Sequence, residues 1–250
     1  AVAAGVKLID DVGGIAAVES YTELHIEQSI ALENAKRPIA VVPGIRGLYR
    51  YDIELRGRGD HAGATPRTLR ADAVAASAAF MSAMNEHWKS WEEAGKDLVW
   101  TVGVIGTLPE EHSYSRVPST LKMGVEFRSQ SRETLHEWTA LMRRELSLAC
   151  EDAATGVTHS IAQVAFSEEA IMAPARVERL RELSTSRLGV DAMTLMSGAG
   201  HDAANWATAG VESSMIFVRN QNGSHNPHEA MRIPDFAVGT ALLALALQEP

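Results

Sequence analysis

SGAGHDAANWATAGVESSMIFVRNQNGSHNPHE, Ser197 to Glu229, reads as a loop, a short helix, a buried strand and a second loop. Ser213 to Val218 (SSMIFV) is an apolar run of strand length with turn residues on both sides. Polar, reactive side chains flank it: His201 and Asp202 before, then Ser224, His225, Asn226, His228 and Glu229 after. A buried strand that delivers such residues from its end loops is how α/β enzymes present chemistry. Turn formation accounts for Gly223, Asn226 and Pro227. It does not account for three histidines and two acids so close together.

Working outward, Pro174 opens a helix to about Leu188, Met193 to Met196 is a short strand, and Pro234 to Leu247 is a closing helix. On the far side, residues 1–20 are an Ala- and Gly-rich lead-in. Tyr21 to Ile30 is a strand or strand-to-helix junction, and IAVV in residues 36–47 is a strand closed by Pro43 and Gly44. The middle has a clear order: strand Leu48 to Arg56, loop 57–67, helix Leu69 to about Glu93, strand Leu98 to Leu108, strand Thr120 to Arg128, helix Arg132 to Asp152, strand Val157 to Phe166. β-α-β-β-α-β is the split-βαβ arrangement, a four-stranded antiparallel sheet with two helices on one face. The expected organisation is therefore one α/β domain, residues 1–45 and 168–250, interrupted by a split-βαβ domain at 46–167.

The chain has 250 residues, 46% hydrophobic and 22% charged, as in globular proteins. A net charge of −9 argues against a nucleic-acid partner. No apolar run reaches the roughly 18 residues that span a membrane. Cys150 is the one cysteine, so an intrachain disulfide is excluded and a reducing, cytoplasmic location is expected. The chain begins AVAAGVKLIDD, without methionine or a secretory pattern, and reads as a processed or truncated piece of something longer.

Two histidines sit among carboxylates and amides on the α/β part, His25 in HIEQ and His225 in SHNPHE. Such settings suit metal ligands with their supporting hydrogen bonds attached. Zinc needs three or four protein ligands, and neither HExxH nor paired cysteines supply the rest. His61, in GDHAGATP, sits on a Gly-rich loop where backbone can approach a ligand. Arg128 ends a strand, where its guanidinium can fork onto a carboxylate or simply face solvent.

ELHIEQ (23–28), GDHAGATP (59–66), EFRS (126–129), SGAGHDA (197–203) and GSHNPHE (223–229) stand in the order and spacing of the M20-type metal-dependent amidases. The chain most resembles their hydantoinase/carbamoylase group: N-carbamoyl-L-amino-acid hydrolases, β-ureidopropionases and allantoate amidohydrolases. The resemblance implies an α/β metallo-aminopeptidase-like catalytic domain with an inserted ferredoxin-like dimerisation lid. It implies two divalent metal ions, zinc or manganese, with cobalt or nickel as alternatives. His25 matches a ligand of one ion and His225 a ligand of the other. Gln28 matches a substrate-contacting amide. His61 matches the lid histidine that reaches the neighbouring subunit's site to stabilise an oxyanion. Arg128 matches the grip on the substrate carboxylate, and Gly198, Gly200 and His201 the loop lining the pocket. The implied partners are a small carboxylate-bearing substrate and a second copy of the chain.

Three departures stand out. Ser115 replaces the family's substrate-contacting asparagine, and Ser29 its usual glycine. The family's first half, with the remaining metal ligands and the general base, has no counterpart. The expected reaction is hydrolysis of an N-carbamoyl-L-amino acid to amino acid, ammonia and carbon dioxide. Allantoate hydrolysis and an aminoacylase- or peptidase-like activity are the alternatives. A different class of reading is an incomplete fragment, inactive alone, that serves only for dimerisation.

Overall fold

A computed structural model describes residues 17–152 and 156–248. In chain order the elements are β1 (Ser20–Ile26), α1 (Ala31–Ala35), β2 (Ile39–Val42), β3 (Gly44–Ile45), β4 (Gly47–Arg56), β5 (Asp60–His61) and α2 (Ala73–Glu93). Then come β6 (Val99–Thr107), β7 (Arg116–Val117), β8 (Thr120–Ser129), α3 (Arg132–Asp152), β9 (Thr158–Ser167), β10 (Ala170–Ile171) and α4 (Pro174–Leu188). The last are β11 (Met193–Thr194), α5 (Asp202–Thr208), β12 (Glu212–Val218), β13 (Asn220–Gln221), β14 (Ala230–Met231) and α6 (Ile233–Gln248). The chain forms two compact units, Ala1–Ile45 with Ala170–Pro250, and Arg46–Glu169. The expected lead-in lies mostly outside the described residues.

In the first unit a mixed sheet runs β1-β12-β2-β11. β1 and β12 are parallel, with His25 opposite Phe217. β12 and β2 are buried along nearly their whole length, because both faces of the sheet are covered. Alternation sends Ala40, Val42, Met215 and Phe217 to one face, against Leu32 of α1 and Ala203 of α5. Ile39, Val41 and Ile216 go to the other face, against Leu180 and Leu183 of α4 and Leu242 and Ala246 of α6. α6 comes close enough that a Cβ on Gly239 would lie 2.7 Å from Val218 Cγ2. Where β12 ends, buried Arg219 forks onto Asp235 of α6 at 2.9 and 3.0 Å. A buried charge needs such a bidentate partner.

In the second unit the antiparallel sheet runs β6-β8-β4-β9. β8 alternates in burial along its ten residues, with Leu121, Met123, Val125 and Phe127 pointing inward. α2 and α3 pack over that face, adding Phe80, Met84, Trp138, Met142 and Leu146. Trp138 is fully buried, edge-on to Trp91 at 5.0 Å and Trp100 at 5.6 Å. Cys150 is buried in the same core. α2 starts at Ala73, four residues later than its periodicity suggests. Asp72 takes the N-cap, accepting from the Val74 and Ala75 amides, both at 3.0 Å. Val74, the second residue of α2, is 39% exposed. Arg46, the first residue of this unit, forks onto Asp97, which also accepts from the Gln130 amide at 2.8 Å.

Candidate active site

In the first unit three donor groups converge where the parallel strands β1 and β12 end. Glu23 and His25 stand two residues apart on β1 and so share one face. His201 arrives from the residue capping α5. Carboxylate and imidazole ligand atoms of the three lie within 4.8 Å of one another. The His25 and His201 rings meet edge to face at 4.5 Å, and His201 rests on Phe217 at 5.6 Å. Tyr21 stacks on Trp206 at 5.5 Å, which fixes α5 against β1.

The hydrogen bonds sort the protons. His25 Nδ1–H donates to the Ile26 carbonyl at 2.7 Å, which leaves the Nε2 lone pair available. Ser197 Oγ–H donates to the Ala199 carbonyl at 2.9 Å, and the oxygen accepts from the Ala199 amide at 3.1 Å. On this allocation, assigned from the network, His201 Nε2–H donates to Ser197 Oγ at 2.8 Å. Nδ1 of His201 then turns a lone pair toward Glu23 Oε1, 3.8 Å away. The other Glu23 oxygen accepts from the Ala203 amide at 2.7 Å and so caps α5. Burial, then the neighbouring His25, pushes the His201 pKa down to about 4 against the opposing pull of Asp202. The imidazole is therefore neutral near pH 7. Three electron-pair donors without an intervening proton are a set that a divalent cation fits.

Gln28, just past β1, has a positive φ of 65°. Gly198 and Gly200 lie in the loop between Ser197 and His201. His225 stands apart from the donor cluster. It is exposed, at φ 60°, in a turn where the Glu229 carboxylate accepts from its amide at 3.0 Å and from Ser224 Oγ at 2.9 and 3.0 Å. Glu23 was legible only as a neighbour of His25, and its i, i+2 spacing on a strand is the signal that points to it.

In the second unit, His61 is exposed on β5, paired with Arg116 of β7. Its Nδ1 accepts from the Gly63 and Ala64 amides, both at 3.2 Å. The neutral ring therefore keeps its proton on Nε2, directed outward as a donor. Ser115 lies beside this loop, its carbonyl accepting from the Ala62 amide at 2.7 Å. Arg128 is held elsewhere. Its Nε donates to Glu126 at 2.6 Å, and Arg50 across the sheet binds the other oxygen at 2.5 Å. Burial raises the Glu126 pKa, but Arg50 and Arg128 outweigh it and hold the carboxyl low. Arg128 sits opposite Leu48, eight residues along β4 from Arg56, which leads to the His61 loop. Eight strand steps span about 26 Å, so Arg128 lies at the end of this sheet opposite the one from which the β5–β7 pair departs.

The chain matches peptidase family M20/M25/M40 over residues 3–249. It belongs to that family. This M20 chain is 33% identical over 232 residues to an N-carbamoyl-L-amino acid amidohydrolase of Geobacillus stearothermophilus, covering 90% of the chain and 53% of the relative. It is 32% identical to an allantoate amidohydrolase of Escherichia coli, covering 93% and 54%. It superposes on a hydantoinase/carbamoylase-family amidase from Burkholderia multivorans with a TM-score of 0.83 at 29% identity, covering 92% and 54%. The M20 chain thus spans about half the length of the curated relatives it matches. No helix among the described residues is long and apolar enough to cross a membrane.

Proposed function

We propose that the protein is a metal-dependent amidohydrolase of linear carbamoyl C–N bonds, with an N-carbamoyl-L-amino acid as its first substrate to test. The observation that carries this is the Glu23–His25–His201 donor set at the carboxyl ends of the parallel strands, where α/β sheets bind ligands. His25 would hold a divalent ion through Nε2, with Glu23 and His201 as adjoining donors, and His225 would serve a second ion. The metal, when bound, supplies Lewis-acid polarisation of the scissile carbonyl. Zinc and manganese suit these nitrogen and oxygen donors best. Gln28 and the Gly198–His201 loop would border the substrate.

The second unit would be a ferredoxin-like lid. There the outward Nε2–H of His61 would donate to the oxyanion, with Ser115 beside it, and Arg128 would grip the carboxylate. One small ligand cannot touch groups about 26 Å apart, so the reading includes a homodimer in which each site draws on both chains. Relatives at 33% and 32% identity bear different substrate names. Allantoate is therefore the second substrate to test.

The test uses the full-length protein, with ammonia release measured from both substrates before and after chelation. The expected result is chelator-sensitive release from at least one. Full activity in the metal-free protein would overturn the proposal.

A further inference from the structure

Glu27 is almost completely buried, 4% exposed, yet it stands at the junction where β1 gives way to a loop beside the donor cluster. Every hydrogen bond it makes is local to that junction. Its amide donates to the Val218 carbonyl at 3.0 Å, extending the β1–β12 ladder by one bond. Oε1 accepts from the Ala31 amide at 2.9 Å and from Ser29 Oγ. Oε2 accepts from the Leu32 amide at 2.9 Å. One side chain thus ties the strand end to the first turn of α1 and draws in the hydroxyl between them. Ser29 adds a second tie, its Oγ accepting from the Ala31 amide at 3.2 Å.

Gln28 is caught inside this clamp at φ 65°, a conformation that residues with a Cβ rarely adopt. A left-handed non-glycine residue persists only where its surroundings impose it. The imposing contacts are those of Glu27 and Ser29. A freed turn would relax toward right-handed or extended backbone and re-aim the Gln28 amide.

We infer that Glu27 is a positioning residue: its buried carboxylate locks the Glu27–Ile30 turn so that Gln28 presents its amide to the substrate. This rests on the reading of Gln28 as a substrate contact. Ser29 belongs to the same lock. The hydroxyl at residue 29 binds the Glu27 carboxylate and so stiffens the turn.

The test is a double-mutant cycle in the full-length protein, with an N-carbamoyl-L-amino acid or allantoate as substrate, whichever it hydrolyses. Glu27→Gln keeps the shape but replaces one acceptor oxygen with a donor facing an amide. Expected are a KM rise of about tenfold for Gln28→Ala, about fivefold for Glu27→Gln, and a double variant within twofold of Gln28→Ala. Metal content is expected to stay unchanged in all three. KM effects that multiply in the double variant would overturn the inference while leaving the proposed function standing, even if Glu27→Gln lowers the Tm. Wild-type protein that hydrolyses neither substrate would overturn both. If Glu27→Gln does not fold, Glu27→Asp, one methylene short of the Leu32 amide, carries the same cycle with the same criterion.

Discussion

At the scale of the residue, the hydrogen-bond partners already held by a side chain decide what it has left to offer. His25 donates its Nδ1–H to the Ile26 carbonyl and retains one lone pair on Nε2. His25→Ala in the full-length protein is expected to weaken metal affinity at least tenfold, read as metal content after dialysis against a weak chelator. His61 has the reverse arrangement, an occupied Nδ1 and an outward Nε2–H. His61→Ala should lower kcat by about 10²- to 10³-fold, the usual cost of one oxyanion donor, with KM little changed. Arg128 already spends part of its fork on Glu126, so in the proposed role it would meet a substrate carboxylate while held from behind. Arg128→Lys keeps the charge and loses the planar fork. It should cut kcat/KM about tenfold or more for substrates with a free α-carboxylate, and less for their amides. Equal losses for acid and amide would make Arg128 a structural residue.

At the scale of the element, legibility tracks how local the determining contacts are. α3 and β8 could be read with near-final boundaries because their periods of 3.6 and 2 are written in consecutive residues. The start of α2 could not, since Asp72 caps the helix against an apolar pattern that begins earlier. Two-residue strands such as β3 and β10 are defined by partners far away in sequence and leave no periodic trace. Glu23 escaped notice for the same reason, since it caps α5 across 180 residues of sequence. The Arg46–Asp97 pair is another such long-range tie, and it makes a pH prediction. Burial raises the Asp97 pKa, but the Arg46 fork and the Gln130 amide prevail and leave it below 3.8. A depressed carboxyl stabilises the fold above its unfolded pKa, and that contribution is lost as pH falls through the folded value. Acid titration of unfolding stability should therefore show a decline below about pH 4 that is shallower in Asp97→Asn. An unchanged slope would remove Asp97 from the account.

At the scale of the whole molecule, the proposed dimer is testable without measuring its mass, because Arg128 lies at the end of the β6-β8-β4-β9 sheet far from the strand end that leads to His61. Chains carrying His61→Ala and chains carrying Arg128→Ala should each be nearly inactive, and mixing them after dissociation should restore activity. Random pairing in a two-fold dimer leaves about one quarter of the sites with both groups intact. No recovery would place both groups in service of a single chain. The buried core of the second unit carries a consequence of another kind. Cys150 is the sole thiol of this chain, and burial, then the charge of Glu151, raises its pKa. Alkylating reagents attack the thiolate of an accessible sulfur, so labelling must wait for α3 to open. The sulfur is thus a clock built into the fold. Its labelling rate under native conditions reads the population of the opened state, and removing the indole of Trp138 should quicken it by about a hundredfold or more.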